Sequence, residues 1–300
     1  MDQYITPDRI ANAIMQDKSF KGMHVLVEGV KDLKVYSKFF DLAKVRLTQT
    51  GGKYKQREAY DTLSARGFQK AIGIRDADFF RIKDNPKFVE GFKTNIFMTD
   101  GHDSEIMMIM VDTLEDMLSV CVEYEGRKNF EEKISSSIRE VVISGAYKLG
   151  CLKLANKRYN LGLSFKPEKV DGNRLKFKKF INENGFHLDL DKMIHTVWEY
   201  SKNRGQVVSN KDLITKSYSE VYGENHPRTE IVNGHDVAEI ICIVASQGLK
   251  SKNTVFQHPD RVEESLALSF DRMKFRRTSL YQALFRWLEE NEEEHFFSLD

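Results

Sequence analysis

The chain has 300 residues, 41% hydrophobic and 30% charged, with a formal net charge of +1 and a mean hydropathy of -0.48. That balance excludes a disordered, collagenous or disulfide-stapled chain, and the length suits two domains with cores large enough to fold without cross-links. The longest apolar runs, Ile106 to Val111 and Ile240 to Ala245, fall far short of the roughly 20 residues a membrane helix needs.

From the N-terminus, Thr6 as N-cap, Pro7 in the first turn and Ile10, Ala13 and Ile14 at helical spacing predict a short helix. His24 to Val27 reads as a buried strand. Gly29 turns the chain into an amphipathic helix carrying Leu33, Val35, Tyr36, Phe39 and Phe40. Val45 to Gln49 is a second strand, followed by Gly51-Gly52-Lys53 and a helix from about Gln56 to Arg66. Ala71 to Ile74 and Asn95 to Met98 complete four strands, and Ile106 to Val120 reads as one apolar helix. This alternation predicts an α/β domain with a mainly parallel sheet over residues 1–122. Residues 123–300 read as a mostly helical domain, with periodic apolar positions over 129–150, 188–202, 235–248 and 260–290.

The three cysteines, Cys121, Cys151 and Cys242, show no CxxC spacing, which predicts a reducing compartment and no zinc site. The opening MDQYITPDRI lacks a basic region followed by an apolar one. A cytoplasmic protein is therefore expected. Neither GxSxG nor GxxxxGK[ST] occurs, so no serine-nucleophile elbow or phosphate loop for ATP is expected.

Three acidic clusters fall at predicted strand ends, the edge where open α/β sheets bind ligands. Glu28 ends the first strand in VLVEGVKD and Asp32 opens the following helix. Asp76 and Asp78 end the third in AIGIRDADFF, and extended backbone would set them on one face, roughly 7 Å apart. Asp103 and Glu105 follow the fourth in TDGHDSEIMM. Carboxylates gathered this way repel unless a cation lies between them, and an all-oxygen set suits Mg²⁺. Phosphodiester cleavage needs that neutralisation together with an activated nucleophile. Each residue also has a plainer reading. Glu28 can be a surface carboxylate, Asp76 and Asp78 loop or N-cap residues, and Asp103 the N-cap of its helix. His102 fits a turn or a supporting role, and Asp236 with Glu239 fits a capping box.

A Glu-Gly turn after an apolar strand, then an apolar strand ending in Asp-x-Asp, resembles the TOPRIM domain of topoisomerases, primases and OLD-type nucleases. With the HDSE element, residues 22–120 resemble the stand-alone TOPRIM-like family that includes AriB, the effector of the PARIS anti-phage system. NGHDVAEIICIV (233–244) resembles a later family element. The resemblance implies that Glu28 acts as metal ligand or general acid/base, that Asp76 and Asp78 hold Mg²⁺ or Mn²⁺, and that Asp32 and Glu105 add to the site. Ile106 departs from the family's usual Asn after the glutamate. The resemblance also implies abortive infection by cleavage of host tRNA, release from an ABC-type ATPase partner, and a homodimer once free. A second reading is a regulatory TOPRIM-like module that binds nucleic acid without cutting. Strand passage or primer synthesis would need a further domain, for which 300 residues leave little room.

Charge is uneven along the chain. Residues 146–180 hold ten Lys or Arg against Glu168 and Asp171, whereas the segment after Leu288 is acidic. Lys153, Lys157, Arg158, Arg174, Lys176, Lys178 and Lys179, interleaved with Tyr147, Tyr159, Phe165, Phe177 and Phe180, suit nucleic acid by phosphate contact and stacking, or else a solvated face over core aromatics. Lys53, after its glycine pair, is a candidate phosphate contact or part of an ordinary turn.

Overall fold

A computed structural model, describing residues 6–82, 95–167, 172–182 and 184–298, resolves the early hydrophobic pattern into a four-stranded sheet. The strands are β1 (Met23–Val27), β2 (Val45–Gln49), β3 (Ala71–Arg75) and β4 (Ile96–Met98), all parallel in the order β2-β1-β3-β4. Every residue of β1 is buried, as expected for a strand with a neighbour on each side and helices over its faces.

The chain divides into two compact units. The described part of the first comprises 6–77, 95–111 and 270–298. Its helices are α1 (Pro7–Gln16), α2 (Val30–Tyr36), α3 (Lys53–Ala65) and α4 (Ser104–Met110), joined by the C-terminal helices Arg272–Arg276 and Ser279–Glu290. The Thr6 side chain accepts a bond from the Arg9 N–H and caps α1. Ile10, Ala11 and Ile14 of α1 pack with Ala59, Tyr60 and Leu63 of α3 over Leu26, Ala71 and Ile96 of the sheet. Gln56, fully buried on α3, donates from Nε2 to the carbonyls of Leu26 at 2.8 Å and Ile74 at 2.7 Å, so one side chain ties β1 to β3. Asp100, two residues past β4, accepts from the N–H groups of Ser279 and Leu280 and so caps the helix Ser279–Glu290.

The described part of the second unit comprises 78–82 and residues within 112–269, and it is helical. It contains α5 (Thr113–Cys121), α6 (Tyr124–Ile134), α7 (Ile138–Tyr159), α8 (Leu190–Lys202), α9 (Lys211–Gly223), α10 (Arg228–Ile231), α11 (Gly234–Ile243) and α12 (Pro259–Ser269). The long α7 packs on α9, α10 and α11. A Cβ at Gly150 would lie 2.3 Å from the Ile231 carbonyl oxygen, so only glycine permits that approach.

Two expectations change here. The single helix expected over Ile106 to Val120 is α4 and α5, broken where Asp112 takes left-handed backbone at φ 66°. The helix α9 was not foreseen, although Asn210 caps it and Ile214, Tyr218 and Val221 line its buried face.

Candidate metal centre

Parallel pairing brings the carboxyl ends of β1 and β3 to the same edge, with Val27 opposite Ile74. Glu28 therefore leaves β1 beside the end of β3. Its Oε1 accepts the Asp76 N–H at 3.2 Å and lies 4.0 Å from Arg75 Nε. The backbone of Glu28 is held by its own carbonyl, which accepts from Gly51 N at 3.0 Å and Gly52 N at 2.9 Å. Those glycines have φ of 76° and 115°, which an L side chain would strain. Both glycine N–H groups thus bond within the chain, and the turn fixes Glu28. Lys53 follows as the first residue of α3, its Nζ 5.8 Å from the Tyr54 ring centroid.

The other acids close around the same edge. Asp32, in the first turn of α2, reaches back to accept from Gly29 N at 2.9 Å. Asp76 Oδ1 accepts from Ser104 N at 3.1 Å, tying the end of β3 to the start of α4. Asp103 is the N-cap of α4, accepting from Ile106 N at 3.0 Å. Glu105 is buried in the first turn of α4, where its Oε2 accepts from the Ser104 hydroxyl at 3.3 Å. His102 is buried in the turn before α4.

Loss of water around its carboxyl, then the charges of Asp103, Asp32, Glu28 and Glu105, push the Asp76 pKa well above the usual carboxylate range. Asp103 therefore caps a helix and adds to this field at once, so its two readings are not exclusive. Tyr36 of α2 lies in the same field. Burial, then Asp32, Asp76, Asp100 and Glu105, raise its pKa well above 10, and its buried hydroxyl has no hydrogen-bond partner among the described residues. An all-oxygen set of carboxylates under mutual repulsion, beside an orphaned hydroxyl, fits a hard divalent cation.

Asp78 differs from expectation. Strand β3 stops at Arg75, and Asp78 has left-handed backbone at φ 49°, so the alternation of an extended strand does not apply to the Asp76–Asp78 pair. Sequence reasoning passed over Arg75, Tyr36 and Gln56. A cation between an apolar strand and two aspartates was the available signal for Arg75; the other two carried none.

In the helical unit the basic stretch separates into two sets. Lys153 Nζ pairs with Asp236 at 2.5 Å, Arg158 pairs with Glu224, and Lys157 Nζ lies 4.9 Å from the Phe79 ring centroid. Arg174 lies 3.5 Å from Asp260, with both side chains about half exposed. Lys176, Lys178 and Lys179 are exposed, whereas Tyr147, Phe177 and Phe180 are buried, so those three rings do not stack on bases. The capping box expected at Asp236 and Glu239 is absent. Helix α11 begins at Gly234, the Asp236 carboxylate accepts from Lys153, and Glu239 lies inside the helix. His235 Nδ1 is 2.6 Å from the buried Glu263 Oε1. Burial pushes the thiols of Cys151 and Cys242 up to about 12, so neither supplies a thiolate at neutral pH.

Fold and site together define an α/β protein with a carboxylate cluster at the carboxyl edge of a parallel sheet and a helical unit beyond it in the chain. No protein-family model matches the chain, and no curated protein matches it. Among the described residues no helix is long and apolar enough to cross a membrane.

Proposed function

We propose that the protein is a Mg²⁺- or Mn²⁺-dependent nuclease of the TOPRIM type. The observation that carries this reading is the junction of β1 and β3, where the Glu28 carboxylate accepts the Asp76 amide and acts on Asp76 together with the carboxylates of Asp103, Asp32 and Glu105. Glu28, Asp32, Asp76, Asp103 and Glu105 are the residues that would hold the ion. When bound, it would supply charge neutralisation on a phosphate and a water activated at neutral pH. Glu28 has the position for proton transfer, since its backbone is clamped by two glycine amides and its Oε1 is oriented by the Asp76 N–H. Arg75, 4.0 Å from Glu28, tempers the negative field at the point where an anionic substrate must approach.

From the resemblance, the proposal extends to an anti-phage effector that cleaves tRNA, is restrained by an ABC-type ATPase and pairs as a homodimer when released. Incubating the purified protein with total RNA and with plasmid, in Mg²⁺ or in EDTA, tests the core claim. Cleavage is expected in Mg²⁺ only, and Glu28→Ala is expected to lose at least ~100-fold, the scale of a general acid/base contribution. A fully active Glu28→Ala protein refutes the assignment. Nucleic-acid binding with no cleavage in any metal would favour the non-catalytic module instead.

A further inference from the structure

The segment 173–180 of the helical unit alternates in a way that makes it a surface device. Leu175, Phe177 and Phe180 are buried, while Arg174, Lys176, Lys178 and Lys179 are exposed. The apolar residues pin the segment down. Tyr200 Oη and Arg204 Nη2 fasten its start by donating to the Asn173 carbonyl at 2.9 and 2.7 Å. The Arg204 guanidinium lies 3.5 Å from the Tyr200 ring centroid, which locks the clamp. Cations held on a ridge of this kind lose less freedom on binding than cations on a loose loop.

Two grooves flank the ridge, of about 440 and about 570 Å³. Lys176 and Lys179 line both. Lys192 from α8 joins the first, and Lys178 and Lys252 join the second. With Arg174 this is six cations, opposed in the grooves by Glu199 and Glu239. Arg174 also meets Asp260, and Lys192 meets Asp189 at 3.3 Å. Lys176, Lys178, Lys179 and Lys252 form no ion pair among the described residues. An unpaired cluster of one sign raises the local potential and calls for a polyanion.

We propose that this ridge and its two grooves are the docking surface for the phosphodiester backbone of a nucleic acid. The choice of occupant rests on the nuclease reading; the positive surface does not. With Phe177 and Phe180 turned inward, the contact is to phosphates and independent of sequence, so its signature is steep salt dependence. The part-buried Lys153 and Arg158 of the same stretch, paired with Asp236 and Glu224, take no part.

The test is fluorescence anisotropy with a labelled single-stranded RNA of mixed sequence and the full chain in EDTA, which separates binding from metal-dependent cleavage. Wild type is expected to bind at 50 mM salt and weaken sharply toward 200 mM. The variant Lys176→Gln/Lys178→Gln/Lys179→Gln should lose at least ~10-fold, and its salt slope should fall by about 2, near 0.7 per phosphate contact. Lys192→Gln/Lys252→Gln, on the same grooves, should show a smaller loss in the same direction. Lys128→Gln/Lys133→Gln on α6 should change neither quantity. Equal affinity in the triple variant, equal loss in the α6 control, or no binding by wild type at 50 mM salt each overturns the proposal. Since no metal is present, a failed cleavage assay leaves this result standing, and failure here leaves the metal site standing.

Discussion

Asp76 is under electrostatic strain at the acidic edge, because four carboxylates raise its pKa in addition to the loss of water. A raised value means that the folded protein holds this proton more tightly than the unfolded chain does. The contribution of Asp76 to stability is therefore fullest in acid and is lost as pH climbs from the ordinary carboxylate value through the raised one. Asp76→Asn keeps an oxygen to accept from Ser104 N but removes the charge. In EDTA at pH 8 the variant is expected to melt higher than wild type by roughly 2–4 °C, the response to ~1 kcal/mol in a domain of this size. The gap should close near pH 4. Mg²⁺ should raise the wild-type melting temperature and leave the variant's unchanged. A variant less stable than wild type at pH 8 would contradict this account. At this scale the sequence was legible where an acid directly follows a buried strand, as at Glu28 and Asp76. The turn at Asp78 was not legible, because a single left-handed residue leaves no periodic trace. Tyr36 escaped because a missing hydrogen-bond partner exists only in three dimensions.

Among the elements, α3 has the most direct hold on the site. Through Gln56 it joins the carbonyls of Leu26 and Ile74, one residue before β1 ends and one before β3 ends. Replacing Gln56 by Leu keeps the bulk and removes both donors in a fully buried place. Left without them, the two carbonyls should cost about 1–3 kcal/mol. The expected outcome is a lower melting temperature with faster amide exchange confined to the ends of β1 and β3, and weaker stabilisation by Mg²⁺. Uniform exchange with unchanged metal response would show that the bridge does not hold the edge. Strands and most helices were legible from periodicity, since burial on one face imposes it. The break between α4 and α5 was not, because Met110, Val111 and Leu114 continue an apolar pattern across it and only Asp112 turns the backbone. Nor was α9, whose buried face includes the small polar Ser217 beside Ile214, Tyr218 and Val221.

Over the whole chain, the least local feature is the return of residues 270–298 to the first unit. Phe275 stacks on Phe39 at 4.4 Å, Phe270 meets Phe39 edge-on at 5.2 Å, and Phe296 meets Phe40 at 5.3 Å. Backbone bonds from Asp41 N to Phe296 O and from Ser298 N to Phe39 O, both 2.8 Å, fix the register. No periodicity near residue 280 reports that its partners lie more than two hundred positions earlier, so pattern reading ran helix onward from 260 to 290. Phe270, Phe275, Phe296 and Phe297 are each at least nine-tenths buried. At roughly 1.5–3 kcal/mol per buried side chain, their sum rivals the whole stability of a domain, about 5–15 kcal/mol. A chain ending at Ser269 would also lose the helix that Asp100 caps and leave Phe39 and Phe40 exposed. It is therefore expected to lose amide protection in β1 and β3 and all thermal stabilisation by Mg²⁺, since Glu28 and Asp76 leave those strands. Retained protection of β1 in the shortened chain would mean that the sheet stands without its C-terminal aromatic layer.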